Sequence, residues 1–222
     1  MHLAPALFYL FCKQKTIIAL YKEAKLYYNK LMKVILASKS PRRKQLLGQI
    51  LDDFQIVVGD VDESIFDGKP TQMVQDLALA KAMAVPCPSD TLVIGCDTIV
   101  VMDGKVYGKP TDRQDAVDTL TAFSGRSHFV YTGVAIVGDG ISHVFYDQTQ
   151  VVFKQLSRHQ IDDYVATGSP MDKAGSYGIQ DSGFVSHLVG SCDNVVGFPT
   201  QMVAKILSQY VKTKDYQEKT YG

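Results

Sequence analysis

This chain has no surplus of either charge, with 23 lysines and arginines against 23 aspartates and glutamates in 222 residues. A net charge of zero leaves no electrostatic footprint for a nucleic-acid polymer, so any phosphate must be met by local basic clusters. Cysteine is sparse as well. Cys12, Cys87, Cys96 and Cys192 show no CxxC or Cys/His metal spacing, which fits reduced, mostly buried thiols in a reducing compartment. No apolar run is long enough for a membrane span. "MHLAPALFYLF" at the start is too short, has no basic leader and offers no small-residue cleavage site, so neither secretion nor a membrane partner is expected. The absence of any GxSxG or Ser/His/Asp arrangement removes support for nucleophilic acyl transfer. No internal repeat or low-complexity linker divides the chain.

What is present is an apolar fraction of 46%, ample for a core, and an alternation of strand and helix patterns. "MKVILAS" reads as a buried strand feeding a helix over 42–50, and "FQIVVGDVDES" as a second strand running into an acidic loop. Residues 71–84 carry apolar residues in helical register before the breaker "PCP". "TLVIGCDTIVVM" is a long strand, and the "DG" at 103–104 turns it into "KVYGKP". "TDRQ" at 111–114 has capping-box spacing and predicts a helix ending near "FSG". A longer hairpin is predicted around the "DG" at 139–140. "SRHQ" at 157–160 is a second capping box, opening a helix that closes at Gly168. Then come the loop "DKAGSYGIQDSG", the short apolar segment "FVSHLV" and a helix from Pro199 to about Lys212. The expected organisation is an N-terminal extension over 1–31, one α/β domain with a mixed sheet over 32–212, and a polar, frayed tail over 213–222. Met32 is expected to be the true start or the start of the folded unit.

Several residues could carry chemistry. In "LASKSPRRKQLL", Ser40 can cap a helix whose first position is Pro41. Arg42 and Arg43 then lie at the positive end of a helix dipole, where cations are disfavoured unless an anion offsets them. A phosphate site and a plain solvated surface fit these local features equally. Asp97 is a carboxylate inside "LVIGCDTIVV", costly to bury without a cation, metal or proton to handle. Asp62 and Glu63 form a second acidic pair, which taken alone reads as an ordinary polar loop. "GKVYGKPT" is not a Walker motif, because its glycines are one residue too close and Pro110 follows the lysine. Lys109 there suits a phosphate contact or a simple turn, and Lys81 reads by default as a surface lysine beside an apolar stripe. The histidines are dispersed and read as packed or exposed strand residues. Acids with lysine and arginine suit divalent-metal-assisted phosphoryl or pyrophosphoryl chemistry.

The ordered segments "LASKSPRRKQLL", "VDES", "LALAKA", "GCDTIVVMDGKVYGKP", "LTAFSGRSHFVYTGVAI" and "DKAGSYGIQDSGFVSHLVGSCDNVVGFP" resemble the motifs of the Maf family, from Met32 to about Leu207. That resemblance implies an α/β fold of the Maf/ITPase-like kind, with a long mixed central sheet flanked by helices and a cleft between two lobes. It also implies a cytoplasmic, dimeric nucleoside triphosphate pyrophosphatase that uses a divalent cation, Mg²⁺ or Mn²⁺. By the same resemblance Asp97 is the proton-accepting carboxylate, Glu63 and Asp97 hold metal, and Ser38, Arg43, Lys81 and Lys109 contact phosphate. Arg42, Thr98 and Gln180 agree with the branch acting on dTTP and UTP, and the 7-methyl-GTP branch differs at these places. A Gln amide and a Thr hydroxyl can each donate and accept, which suits the edge of uracil or thymine. Gln180 alone is equally compatible with merely tying down its loop. A 7-methyl-GTP pyrophosphatase and a non-catalytic septum regulator stand as alternatives.

Overall fold

The computed structural model describes residues 32–63 and 68–218, so the expected extension 1–31 lies outside the described residues. β1 (Lys33–Leu36) buries three of its four residues and leads to α1 (Pro41–Ile50). Ser40 caps α1 by accepting the Arg43 N–H, Pro41 takes the first turn, and Leu46, Leu47 and Ile50 face the core. β2 is only Gln55–Ile56, shorter than the pattern predicts. It lies at the sheet edge, and Gly59 just beyond it packs against the backbone of Ala84, which turns the chain away.

α2 (Pro70–Met83) precedes β3 (Thr91–Met102), and β4 (Lys105–Tyr107) returns from a turn in which Asp103 and Gly104 have φ 52° and 76°. Such a turn matches the twist of the strands it joins. α3 (Arg113–Phe123) starts one residue later than "TDRQ" predicts: Asp112 is the cap, accepting the Asp115 N–H, while Asp115 reaches back to Thr111 N–H. β5 (Ser127–Gly138) and β6 (Ile141–Phe153) form the long hairpin, and α4 (Arg158–Ala166) carries the expected capping box. Two 3₁₀ turns (Ser169–Asp172, Ala174–Ser176) shape the following loop before β7 (Val185–Val189). A short helix that the pattern did not foretell, α5 (Cys192–Val196), is capped by Ser191 and ended by Gly197 at φ 107°. α6 (Thr200–Leu207) stops earlier than expected, because the chain turns at Ser208 to cross towards α1.

The sheet is mixed, in the order β2-β1-β3-β5-β6-β7, with β4 also on β3. β1 runs parallel to both β2 and β3, and the other pairs are antiparallel. β5 pairs β3 from Val93 to Val101, so β1 and β4 must share the opposite edge of β3. β1 ends its pairing at Ile94 and β4 begins at Val100. Between them the edge of β3 has no strand partner among the described residues, and Asp97 lies in that interval.

One face of the sheet carries two apolar clusters, one against α1 and α6 (Leu36, Leu47, Ile94, Val203) and one against α3 and α4 (Val100, Leu120, Phe153, Ile161). Val196 packs against both clusters and joins them. The other face carries α2, through Ala78, Ala82 and Val74. Residues 214–218, expected to fray, are held down. The Lys214 N–H donates to Ile50 O, the Glu218 carboxylate accepts from Ser191 and from the Asp193 N–H, and Tyr216 donates to Asp193.

Candidate active site

Side chains alternate along β3, so Val93, Gly95, Asp97, Ile99 and Val101 share the face covered by α2. Two of the positions beneath the helix are glycine. A Cβ at Gly95 would strike Ala78 O, and one at Gly133, directly across from Asp97, would strike Val74 O. The helix backbone therefore rests on the sheet itself, and that close approach brings Lys81 to the carboxylate. Lys81 Nζ lies 2.6 Å from Asp97 Oδ1 and 2.6 Å from Glu63 Oε1. Lys81, expected by default to be a surface residue, is thus mostly buried, and Asp97 is 7% exposed. A buried carboxylate is tolerable only with such a partner. The sheet edge, the helix and the acidic loop bring Asp97, Lys81 and Glu63 together.

Thr98 points to the opposite face. There Arg43 reaches across from α1 and donates from Nη1 to Cys96 O (2.8 Å) and Ser38 Oγ (3.2 Å), from Nη2 to Thr98 Oγ1 (3.0 Å) and from Nε to Gly197 O (2.9 Å). Four of its five N–H groups are engaged by the protein. Thr98 also shares a hydrogen bond with Thr132, whose hydroxyl donates to Asn194 O. Thr98 must then donate to Thr132 and accept from Arg43, which leaves it no hydrogen to donate to a nucleobase. Sequence reasoning missed Thr132, Asn194 and Gly197. Gly197 alone left a sign, as a glycine ending a short apolar segment.

Arg42 is not free either. It bridges to Asp172 (3.0 Å) in the loop after α4, and Lys173 Nζ meets the same carboxylate at 2.8 Å. Burial opposes the charge on Asp172, but Lys173 and Arg42 outweigh it and hold its carboxyl below the usual range. The same loop reaches the Lys109 segment through the Gly175 N–H, which donates to Gly108 O. Lys109 and Gln180 are both exposed.

Burial pushes the Cys96 thiol up to about 11, with Arg43 and Lys81 opposing and Asp97 adding to the rise. Of the described cysteines only Cys96 is buried, where the pattern suggested mostly buried thiols: Cys192 is half-buried and Cys87 is exposed. His128 is buried, His143 meets Tyr210, and His187 lies in β7, all packed or exposed strand residues as expected. Among the described residues no group of three or more His, Cys, Asp or Glu could hold a metal by itself. The Asp97 and Glu63 pair nevertheless fits a hard divalent cation, which takes one or two carboxylates and completes its shell with water and substrate phosphate. No described helix is long and apolar enough to cross a membrane.

The family described as Maf-like protein matches residues 33–210. A protein of Bacillus cereus (strain AH187) named dTTP/UTP pyrophosphatase is 44% identical over 182 residues, covering 80% of this chain and 95% of that protein. One of the same name from Bacillus anthracis (strain CDC 684 / NRRL 3495) is 45% identical with the same coverage. A solved HAM1 protein from Coxiella burnetii superposes with a TM-score of 0.44 at 12% identity, over 81% of this chain and 100% of that one.

Proposed function

The chain belongs to the Maf family, and on that premise we propose that it is a nucleoside triphosphate pyrophosphatase that takes dTTP and UTP to the monophosphate and pyrophosphate. The observation that carries the reading is the convergence of Asp97, Glu63 and Lys81 at the stretch of β3 between its pairings with β1 and β4, next to Cys96, whose carbonyl accepts from Arg43 in the first turn of α1. Asp97 accepts the proton of the attacking water as the P–O bond breaks. Lys81 balances the two carboxylates before substrate arrives and turns to phosphate afterwards. The first turn of α1 offers the Arg42 N–H, with the Ser38 hydroxyl and the remaining N–H of Arg43, to the triphosphate, and exposed Lys109 adds a point charge. When bound, a divalent cation such as Mg²⁺ or Mn²⁺, held by Asp97 and Glu63, would neutralise charge on the phosphate oxygens. Gln180 reads the pyrimidine edge, Arg42 links the phosphate helix to that loop, and Thr98 bears on selectivity through Arg43. The same reading places the enzyme in the cytoplasm as a homodimer, without a nucleic-acid polymer or membrane as partner.

The test is pyrophosphate release from equal dTTP, UTP, CTP, GTP and 7-methyl-GTP with Mg²⁺ or Mn²⁺. Pyrimidine preference is expected, with Asp97→Asn losing ~10²–10⁴-fold in kcat while its thermal unfolding stays cooperative. Preference for 7-methyl-GTP would move the enzyme to the sister branch, and no release from any nucleotide would favour a non-catalytic septum regulator.

A further inference from the structure

The loop over 172–183 is pinned at every residue around Gln180 except Gln180 itself. Tyr177 and Ile179 are buried in the cluster under α3 and α4, and the Tyr177 hydroxyl meets His128 Nε2 at 2.8 Å. Between them Gly178 donates its N–H to the Tyr164 hydroxyl (2.9 Å), and that hydroxyl donates to Asp181 Oδ1 (3.0 Å). One phenol oxygen on α4 thus closes both ends of the turn over 178–181. The other Asp181 oxygen accepts from Ser169 (2.5 Å), and Lys173 stands 3.8 Å away. A Cβ at Gly178 would strike Asp181 Oδ1, so glycine is what lets the carboxylate fold back over the turn. The turn is further closed by the N–H groups of Asp181 and Ser182 on Gly178 O.

Tyr164 is almost wholly buried, and its ring packs on Phe184. Burial pushes its phenol up to about 12, so it stays protonated as the donor Asp181 needs. The loop is tied to the start of α1 by Arg42 on Asp172 and to the segment after β4 by the Gly175 N–H on Gly108 O.

We propose that Tyr164 and Asp181 are positioning residues that set nucleobase selectivity by fixing the turn from which Gln180 projects. The inference rests on the proposed reading of Gln180. The side-chain hydrogen bonds of both residues stay within α4 and the segment that follows it, and neither is among the residues assigned to the triphosphate, so the loss of either should blur discrimination among bases and leave recognition of the triphosphate alone. A residue that only supported the fold would move both together.

The experiment compares kcat/KM for UTP and dTTP with that for GTP in Tyr164→Phe, Asp181→Ala, Asp181→Asn and Gln180→Ala, alongside inhibition by inorganic tripolyphosphate, which has no base. Tyr164→Phe keeps the buried ring and removes only the hydroxyl. Asp181→Ala removes a half-exposed side chain that the core does not need. Both should lower the pyrimidine-to-purine ratio by about tenfold, with tripolyphosphate inhibition unchanged within about twofold. Asp181→Asn, which still accepts from Tyr164, should recover most of the ratio. A ratio left intact in Tyr164→Phe and Asp181→Ala, or one that falls in step with tripolyphosphate binding, overturns the inference. Gln180→Ala separates the two levels: if it alone collapses the ratio, the reading of Gln180 stands and the positioning role falls. If Gln180→Ala leaves the ratio intact, the reading falls and the inference with it.

Discussion

Arg43 shows how one side chain can join parts of the chain far apart in sequence. Its guanidinium ties the start of α1 to two positions of β3 and to the residue that ends α5. Gly197 at that point has φ 107°, and a Cβ there would crowd the Thr98 hydroxyl and touch the Arg43 guanidinium. The planar fork of arginine meets these acceptors at once, and a lysine ammonium on a flexible stem cannot. Arg43→Lys is therefore expected to lower the unfolding free energy by about 2–5 kcal/mol, through buried carbonyls and hydroxyls left unmatched, as urea unfolding would measure. Turnover should fall with it, because α1 and β3 lose their common pin. A variant as stable as the parent would show that Arg43 serves substrate and not the fold.

At the scale of elements, the contact that matters most is α2 on the sheet. Lys81 can salt-bridge Asp97 only because Gly95 and Gly133 let the helix backbone come down where any side chain would hold it off. Gly95→Ala would press a methyl group against the backbone of Ala78 and Ala82, which cannot swing aside as a side-chain tip could. It should cost about 1–3 kcal/mol or more in stability and reduce pyrophosphate release beyond what that loss explains, as the helix shifts Lys81. Gly48→Ala is the matched control. It lies within α1 with nothing near its Cβ position, and should raise stability by about 0.5–1 kcal/mol. Thermal melts and activity of the two variants together test the claim, and equal effects would refute it.

At the scale of the whole molecule, the cluster around β5, β6 and the loop over 172–183 is built on a buried histidine. His128 stacks on Phe123 with centroids 4.3 Å apart and packs edge-on to Phe153 and Tyr177. Burial lowers its pKa from 6.5 to about 3. The folded state therefore takes up this proton only near the lower value, while the unfolded chain takes it up near the higher one. The stability linked to His128 is full above about pH 6.5 and is lost as pH falls towards about 3, at about 1.4 kcal/mol per pH unit. Urea unfolding should show a loss of about 2 kcal/mol from this group between about pH 7 and pH 5. His128→Phe should flatten that dependence, and an unchanged slope would mean that the acid sensitivity arises elsewhere.

Strand and helix periods, the two Asp-Gly turns and the capping box at Ser157 are local properties, and they sufficed for the mixed α/β class and most elements. Asp97 was legible alone, because a carboxylate inside an apolar strand has a large desolvation cost wherever that strand lies. The order of motifs pointed to the family for the same reason, each motif being continuous in sequence. Tertiary structure decided what depends on distance between segments. It drew Lys81 from a surface expectation into an ion pair, placed Thr98 on the face away from Asp97, engaged Arg43 with four protein acceptors, and docked residues 214–218 on α1 and α5. None of these has a local signal, because a hydrogen bond across 154 residues, such as Arg43 to Gly197, exists only once strands and helices have been laid side by side.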